Sequence, residues 1–257
     1  MTLKEYFDRF VQFDRSDKKV DVISIVGCGG KTSLMWSLSS AYKTKKVLVS
    51  TTTHIQKPPA SSGLYNQFLS YNEGSENEID FECRAPCSGV TLSLSYDTNL
   101  CKYKSLPLES LESFINHFDL CILEADGSRS KPIKGWADYE PVIIKRTTIT
   151  VGILPVNAVG LSANEENVHR LPLFLKLSGA QENSPITVEH IAKTISSSTC
   201  KSLFSASEGQ KILFISQVNS SEKFKLAEQI ISGLPLTFKN QLDGIIFGCL
   251  KTNTIFV

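Results

Sequence analysis

The stretch Gly27-Cys28-Gly29-Gly30-Lys31-Thr32-Ser33 constrains the chain more than any other. The apolar run Val20 to Val26 leads into it, and Leu34, Met35, Leu38 and Tyr42 then fall on one face of a helical pattern. Strand, glycine turn, Lys-Thr and helix together form the setting of a phosphate-binding loop. Glycines let backbone approach an anion closely, successive N–H groups converge on it, and the following helix adds its positive end. Gly27, Gly29, Gly30, Lys31, Thr32 and Ser33 are therefore expected to hold the phosphates of ATP or GTP. Lys31 would reach the β- and γ-phosphates, and the Thr32 hydroxyl would take a place on Mg²⁺. The spacing is G-x-G-G-K-T; the first glycine of the longer form would fall at Ile25. The competing reading is a turn that only joins strand to helix, and Lys-Thr at the helix start weighs against it.

The βαβ unit continues through a basic helix end, Lys43 to Lys46, into a second buried strand at Val47-Leu48-Val49. Such crossovers are right-handed, so the two strands should be parallel. The second strand ends in Ser50-Thr51-Thr52-Thr53-His54. Strand ends of this kind face the ligand crevice of an open α/β sheet, which places Thr52 and Thr53 with the nucleotide; plain β-propensity of threonine is the alternative. Further on, Phe118 to Gly127 is an apolar strand ending in carboxylates. Glu124 and Asp126 share one face of it. Buried carboxylates need a cation to offset them, so Asp126 with Thr32 is the expected Mg²⁺ site, and Glu124 would orient a nucleophile or bind the same water shell. The catalytic set read from the sequence is Lys31, Glu124, Asp126 and Arg129. Arg129, Lys131 and Lys134 lie just past the strand, in a turn that reads equally as solvated or as facing substrate. His169-Arg170 is a further candidate pair.

The rest of the chain fits a three-layer α/β/α sandwich of P-loop NTPase type with a mainly parallel sheet. All 257 residues are expected to form a single nucleotide-binding domain, with an irregular insertion around 55–105. Residues 2–13 read as an amphipathic helix with a Thr2/Glu5 capping box. Residues 55–80 read as a mobile loop with a short helix around Leu64 to Leu69, Val90 to Tyr96 as a half-exposed strand, antiparallel in one reading, and Pro172 as a helix breaker. A net charge of +1 gives no sign of a nucleic-acid partner. No apolar run approaches a membrane span, and Glu5, Asp8 and Asp14 interrupt any signal peptide, so a cytoplasmic location is expected. Seven cysteines, several inside apolar runs, read as reduced thiols. Cys83 and Cys87 form a C-x₃-C pair with no evident fourth ligand. Cys28 reads as a small residue in a tight turn, the alternative being a thiol of lowered pKa.

Four stretches together resemble the YqeC-like family of selenium-dependent hydroxylase accessory proteins, also described as selenium cofactor biosynthesis proteins. They are Val26 to Thr32, Thr51 to His54, Leu123 to Arg129, and Tyr139-Glu140-Pro141-Val142-Ile143. Ile144 stands where the family often has proline. Ser216-Gln217-Val218-Asn219 stands where a guanine-reading Asn-Lys-x-Asp pattern would lie. The resemblance implies a P-loop nucleotide-binding protein that acts as an accessory factor for selenium-dependent molybdenum hydroxylases. Its partners would be a nucleoside triphosphate and either a second small substrate or a hydroxylase maturation partner. An Mg²⁺-dependent NTPase or phosphotransferase is one reading; a non-hydrolysing nucleotide switch or carrier is the other.

Overall fold

The strand Asp21–Gly27 (β1) is buried along its whole length, so both faces of it must be covered. Its odd-numbered side chains, Ile23 and Ile25, pack with Leu34, Met35 and Leu38 in one apolar cluster. Val22 and Val26 point the other way and join two clusters on the opposite face. Full burial of each such side chain is worth about 1.5–3 kcal/mol, and this alternation fixes a three-layer arrangement.

The computed structural model describes residues 1–13, 19–71, 88–198, 200–252 and 254–257. After β1 the strands are β2 (Lys46–Thr51), β3 (His54–Ile55), β4 (Gln67–Tyr71), β5 (Gly89–Asp97), β6 (Lys102–Lys104), β7 (Leu120–Glu124), β8 (Ile133–Lys134), β9 (Ile149–Pro155), β10 (Val168–His169), β11 (Gln210–Ser216), β12 (Gly244–Cys249) and β13 (Thr254–Phe256). The helices are α1 (Leu3–Phe7), α2 (Lys31–Ala41), α3 (Leu108–Ile115), α4 (Leu171–Ser178), α5 (Val188–Ile195), α6 (Ser221–Ser232) and α7 (Leu236–Lys239). The main sheet runs β13-β12-β11-β9-β1-β7-β2-β5-β6-β3, with β4 also paired to β5. It is parallel from β12 to β5 and antiparallel where β13 and β6 pair. The chain leaves β1 outward to β2 and β5, returns to insert β7 beside β1, then crosses to β9 on the other side. The C-terminal end of β1 thus lies where the winding changes direction, the usual place for a ligand crevice in open α/β sheets.

Several local expectations are corrected. The N-terminal helix spans only Leu3–Phe7, with both capping-box bonds formed, while Phe10 and Val11 stay buried beyond its end. The short helix expected around Leu64 to Leu69 is instead strand β4, which runs parallel to β5. Strand β5 is buried from Gly89 to Ser95 and parallel to β2, not half-exposed. Its Thr91, Ser93 and Ser95 alternate with leucines, yet they too lie inside, because β5 is covered on both faces. Pro172 lies in the first turn of α4, where its missing N–H costs nothing, and begins that helix. Cys83, Cys87 and Asp14 lie outside the described residues.

Candidate functional site

Two close backbone approaches shape the loop after β1. Gly27 has φ +103°, and a Cβ there would lie 2.2 Å from the Ile153 carbonyl oxygen. That same oxygen accepts the N–H of Cys28 at 2.8 Å. Gly29 has φ +71°, and a Cβ there would come within 2.3 Å of the Pro155 ring. Any side chain at either position would force the loop off β9. Cys28 is fully buried between them. Burial pushes its thiol up to about 12, which makes it a small core residue rather than an activated thiol. Gly30, at the N-cap of α2, offers no side chain to the first-turn N–H groups, and Thr32 and Ser33 are exposed there.

Lys31 is almost fully buried. Its ammonium donates to the Gly27 carbonyl at 2.8 Å and to Ser128 Oγ at 3.3 Å. It also lies 3.4 Å from Asp126 Oδ1 and 3.7 Å from Glu124 Oε1. Burial works against its charge, but Asp126 and then Glu124 hold its pKa above the ordinary value. Thr32 Oγ1 donates to Glu124 Oε2 at 2.7 Å. Burial pushes the Glu124 carboxyl up, with Lys31 and the Thr32 hydroxyl pulling it back. Both acidic side chains therefore face Lys31, as their shared strand face requires.

Their surroundings differ from the expected division of labour. The Gly27 N–H donates to both Asp126 oxygens at 3.0 Å. Trp136 Nε1 and Lys134 Nζ each donate to Oδ2 at 3.2 Å. Asp126 is thus enclosed by protein donors, and Thr32 meets Glu124, not Asp126. Lys134 is fully buried, so the basic turn is no solvated turn at that position. Its ammonium also donates to the Gly127 carbonyl at 2.6 Å and pairs with Glu140 Oε2 at 2.7 Å. The same Glu140 oxygen accepts from Arg170, which reaches the Tyr139 hydroxyl at 3.1 Å. A chain of alternating charge therefore runs from the glycine loop through Asp126, Lys134 and Glu140 to Arg170.

The remaining candidates stand apart. Arg129 is exposed at φ +49° and lies outside this chain of pairs. The Thr52 hydroxyl donates to the Val142 carbonyl at 2.7 Å, and the Thr53 N–H to Thr51 Oγ1 at 3.0 Å. Both are half-buried at the strand end, holding the 140–143 segment and the turn. Two contacts carried no sequence signal as parts of one site. Trp136 sits in a loop without periodicity. Ser216, at the end of β11, donates to the Gly29 carbonyl at 2.8 Å.

These features define a class: a parallel α/β protein with a glycine loop at a helix start and an acidic strand end against it. The chain belongs to the YqeC family, whose model, described as YqeC protein, matches residues 23–172. That span contains Gly27 to Ser33, Glu124 to Glu140, and His169-Arg170. The chain is 26% identical to the uncharacterized protein YqeC of Escherichia coli strain K12 over 193 residues, which is 70% of this chain and 69% of that protein. Among solved structures, HypB from Helicobacter pylori in complex with nickel aligns over 98% of this chain and 85% of its own, at 11% identity and a TM-score of 0.41. No helix among the described residues is long and apolar enough to cross a membrane.

Proposed function

We propose that this protein binds a nucleoside triphosphate at Gly27 to Ser33 and hydrolyses it or transfers its terminal phosphoryl group. The 2.7 Å bond between Thr32 and Glu124, with Lys31 buried beside it, carries this reading. The Thr32 hydroxyl at an exposed helix start and the Glu124 carboxylate at the buried end of β7 are hard oxygen donors of the kind Mg²⁺ takes. Thr32 and Glu124 would hold the ion, which would neutralise charge on the terminal phosphates. Lys31 would place its ammonium on the same phosphates, and the loop N–H groups would orient them. Asp126 fixes the first loop glycine and keeps Lys31 charged, so it serves the site by positioning. The family resemblance supports an accessory role in the maturation of selenium-dependent molybdenum hydroxylases.

Calorimetric titration tests the binding site. Lys31→Ala should weaken ATP binding roughly ten- to hundredfold, the effect of losing one charge-assisted hydrogen bond of about 1.5–3 kcal/mol. Thr32→Ala, at an exposed position, should remove the Mg²⁺ dependence and leave the fold unchanged. Wild-type affinity in both variants would overturn the proposal. Side-by-side titration of ATP and GTP should show weak selectivity or a preference for adenine, since Ser216-Gln217-Val218-Asn219 lacks the guanine pattern. Phosphate release by the purified protein, and its loss in Glu124→Gln, separates turnover from a non-hydrolysing switch.

A further inference from the structure

A group of cationic residues, Arg129, Lys131 and Lys134, follows the acidic end of β7, and the chain of pairs above leaves part of it unused. Lys131 pins this region: its ammonium donates to the main-chain carbonyls of Glu165 and Val168, and its N–H closes a turn on the Ser128 carbonyl. The turn holding Arg129 is thereby fastened alongside the segment that leads into His169. β8 then pairs with β10, in a register that sets His169 opposite Lys134. Arg170 follows directly at the N-cap of α4, at φ +56°.

His169 is 9% exposed; its ring nitrogens reach solvent, and its imidazole makes no hydrogen bond among the described residues. Arg129 is exposed and has no carboxylate partner among them. The charged groups that act on the imidazole through space are Arg170, Lys134, Arg129 and Glu140, and Lys134 stands opposite it across the β8–β10 pair. Lys134 and Glu140 neutralise each other at 2.7 Å, and Arg170 gives one guanidinium edge to that same Glu140. Arg170 gives its other terminal nitrogen to the Tyr139 hydroxyl, so Arg129 is the cation of this group left without a partner among the described residues. Burial and these cations depress His169 to about 4, so the ring stays neutral near neutral pH. A neutral imidazole with solvent-reachable nitrogens thus lies beside Lys134 on the β8–β10 ribbon, with Arg170 next in the chain and the Arg129 turn fastened alongside, in a corner that carries more positive than negative charge.

We propose that Arg129, His169 and Arg170 form a binding site for the oxyanion of a second small-molecule substrate, beside the end of the bound triphosphate. Ser128 touches Lys31 and directly precedes Arg129, which puts the two sites one residue apart along the chain. The ligand class is a phosphate, sulfate or carboxylate group on a small molecule. Two guanidinium groups are suited to grip it, and His169 gains a proton as it enters. Its use as an acceptor presupposes nucleotide in the glycine loop; the binding itself does not.

Nitrogen-15 NMR of the imidazoles tests this directly. There are four histidines, so His169 is assigned by its loss in His169→Gln. The probes are sodium sulfate, dianionic over the whole range, and sodium acetate, each compared with sodium chloride at equal ionic strength. In chloride the ring should stay neutral down to about pH 5. In sulfate its pKa should rise by more than about one unit, as a paired imidazolium requires; a larger response to acetate would mark the substrate as a carboxylate. Arg129→Ala changes an exposed side chain, so the fold should hold. That variant should abolish the sulfate effect, and Arg129→Lys should restore part of it. Amide shifts at Gly29 to Thr32 report sulfate in the glycine loop separately. If only those amides respond, this inference is overturned and the glycine loop stands. If only His169 responds, the reverse holds. A response that survives Arg129→Ala marks an adventitious ion only and overturns the inference as well.

Discussion

Asp126 and Glu124 lie two residues apart on one strand face, yet their partners assign them different work. Asp126 receives the Gly27 N–H, the Trp136 indole and the Lys134 ammonium, with no side-chain exposure. Changing it to asparagine leaves Lys134 and Lys31 without their shared carboxylate inside the protein. Breaking a buried pair in this way costs about 3–5 kcal/mol, so Asp126→Asn should lower the melting temperature sharply. Glu124→Gln keeps an oxygen to accept from Thr32 and removes a charge that burial already disfavours. It should melt at or above the wild-type temperature in metal-free buffer and lose the Mg²⁺-dependent part of nucleotide affinity. Thermal melts with chelator, paired with calorimetry with and without Mg²⁺, separate the two. An Asp126→Asn protein that melts like wild type but has lost its Mg²⁺ dependence would return the metal-holding role to Asp126.

The β8–β10 ribbon and the start of α4 carry Lys134 and Arg170, and Gly135 sets how closely they pack. A Cβ at Gly135 would stand 2.6 Å from both Leu173 Cβ and the Phe174 nitrogen. Gly135→Ala should therefore push α4 off the ribbon, at an overpacking cost of about 1–3 kcal/mol, and draw Arg170 away from Glu140. Melting should fall and nucleotide affinity drop only modestly, since the glycine loop is one step removed; an unchanged melt would mean the contact has room to give. This ribbon was invisible in the sequence, because strands of two residues have no period to detect. β1, α2, β2 and β7 were legible because continuous apolar runs mark buried parallel strands and a glycine turn marks the join. β5 was misjudged for a related reason. Its Thr91 and Ser93 look like a solvent face, yet Thr91 bonds Gln67 and the Ser93 carbonyl accepts the Ser50 hydroxyl inside the sheet. Lys31, Thr32, Glu124 and Asp126 were legible as two short motifs. Lys134, Glu140 and Arg170 were each visible as charged residues, but nothing local announces that residues 30 positions apart, Glu140 and Arg170, will pair.

For the whole molecule, the site links folding to pH through two groups of opposite sign. His169 is held near 4, below the ordinary 6.5, by burial and by Arg170, Lys134 and Arg129. Between those values the unfolded chain takes up a proton that the folded one refuses, so this group makes stability fall as pH falls from about 6.5 toward 4. Glu124 is raised above its ordinary 4.5, chiefly by burial. Above 4.5 the folded protein holds a proton that the unfolded chain releases, so Glu124 makes stability rise as pH falls through its folded pKa. Glu5, Asp97 and Glu189 are lowered, and their contributions disappear only below the ordinary carboxylate range. In metal-free buffer between pH 6.5 and 4.5, His169 and Glu124 therefore oppose each other. Urea unfolding at stepped pH should show His169→Gln gaining stability relative to wild type as the solution is acidified. Glu124→Gln should lose more stability than wild type over the same interval. A His169→Gln profile parallel to wild type across this window would mean that the imidazole takes up its proton in the folded protein as readily as in the unfolded chain, and that the cations around it do not govern its charge.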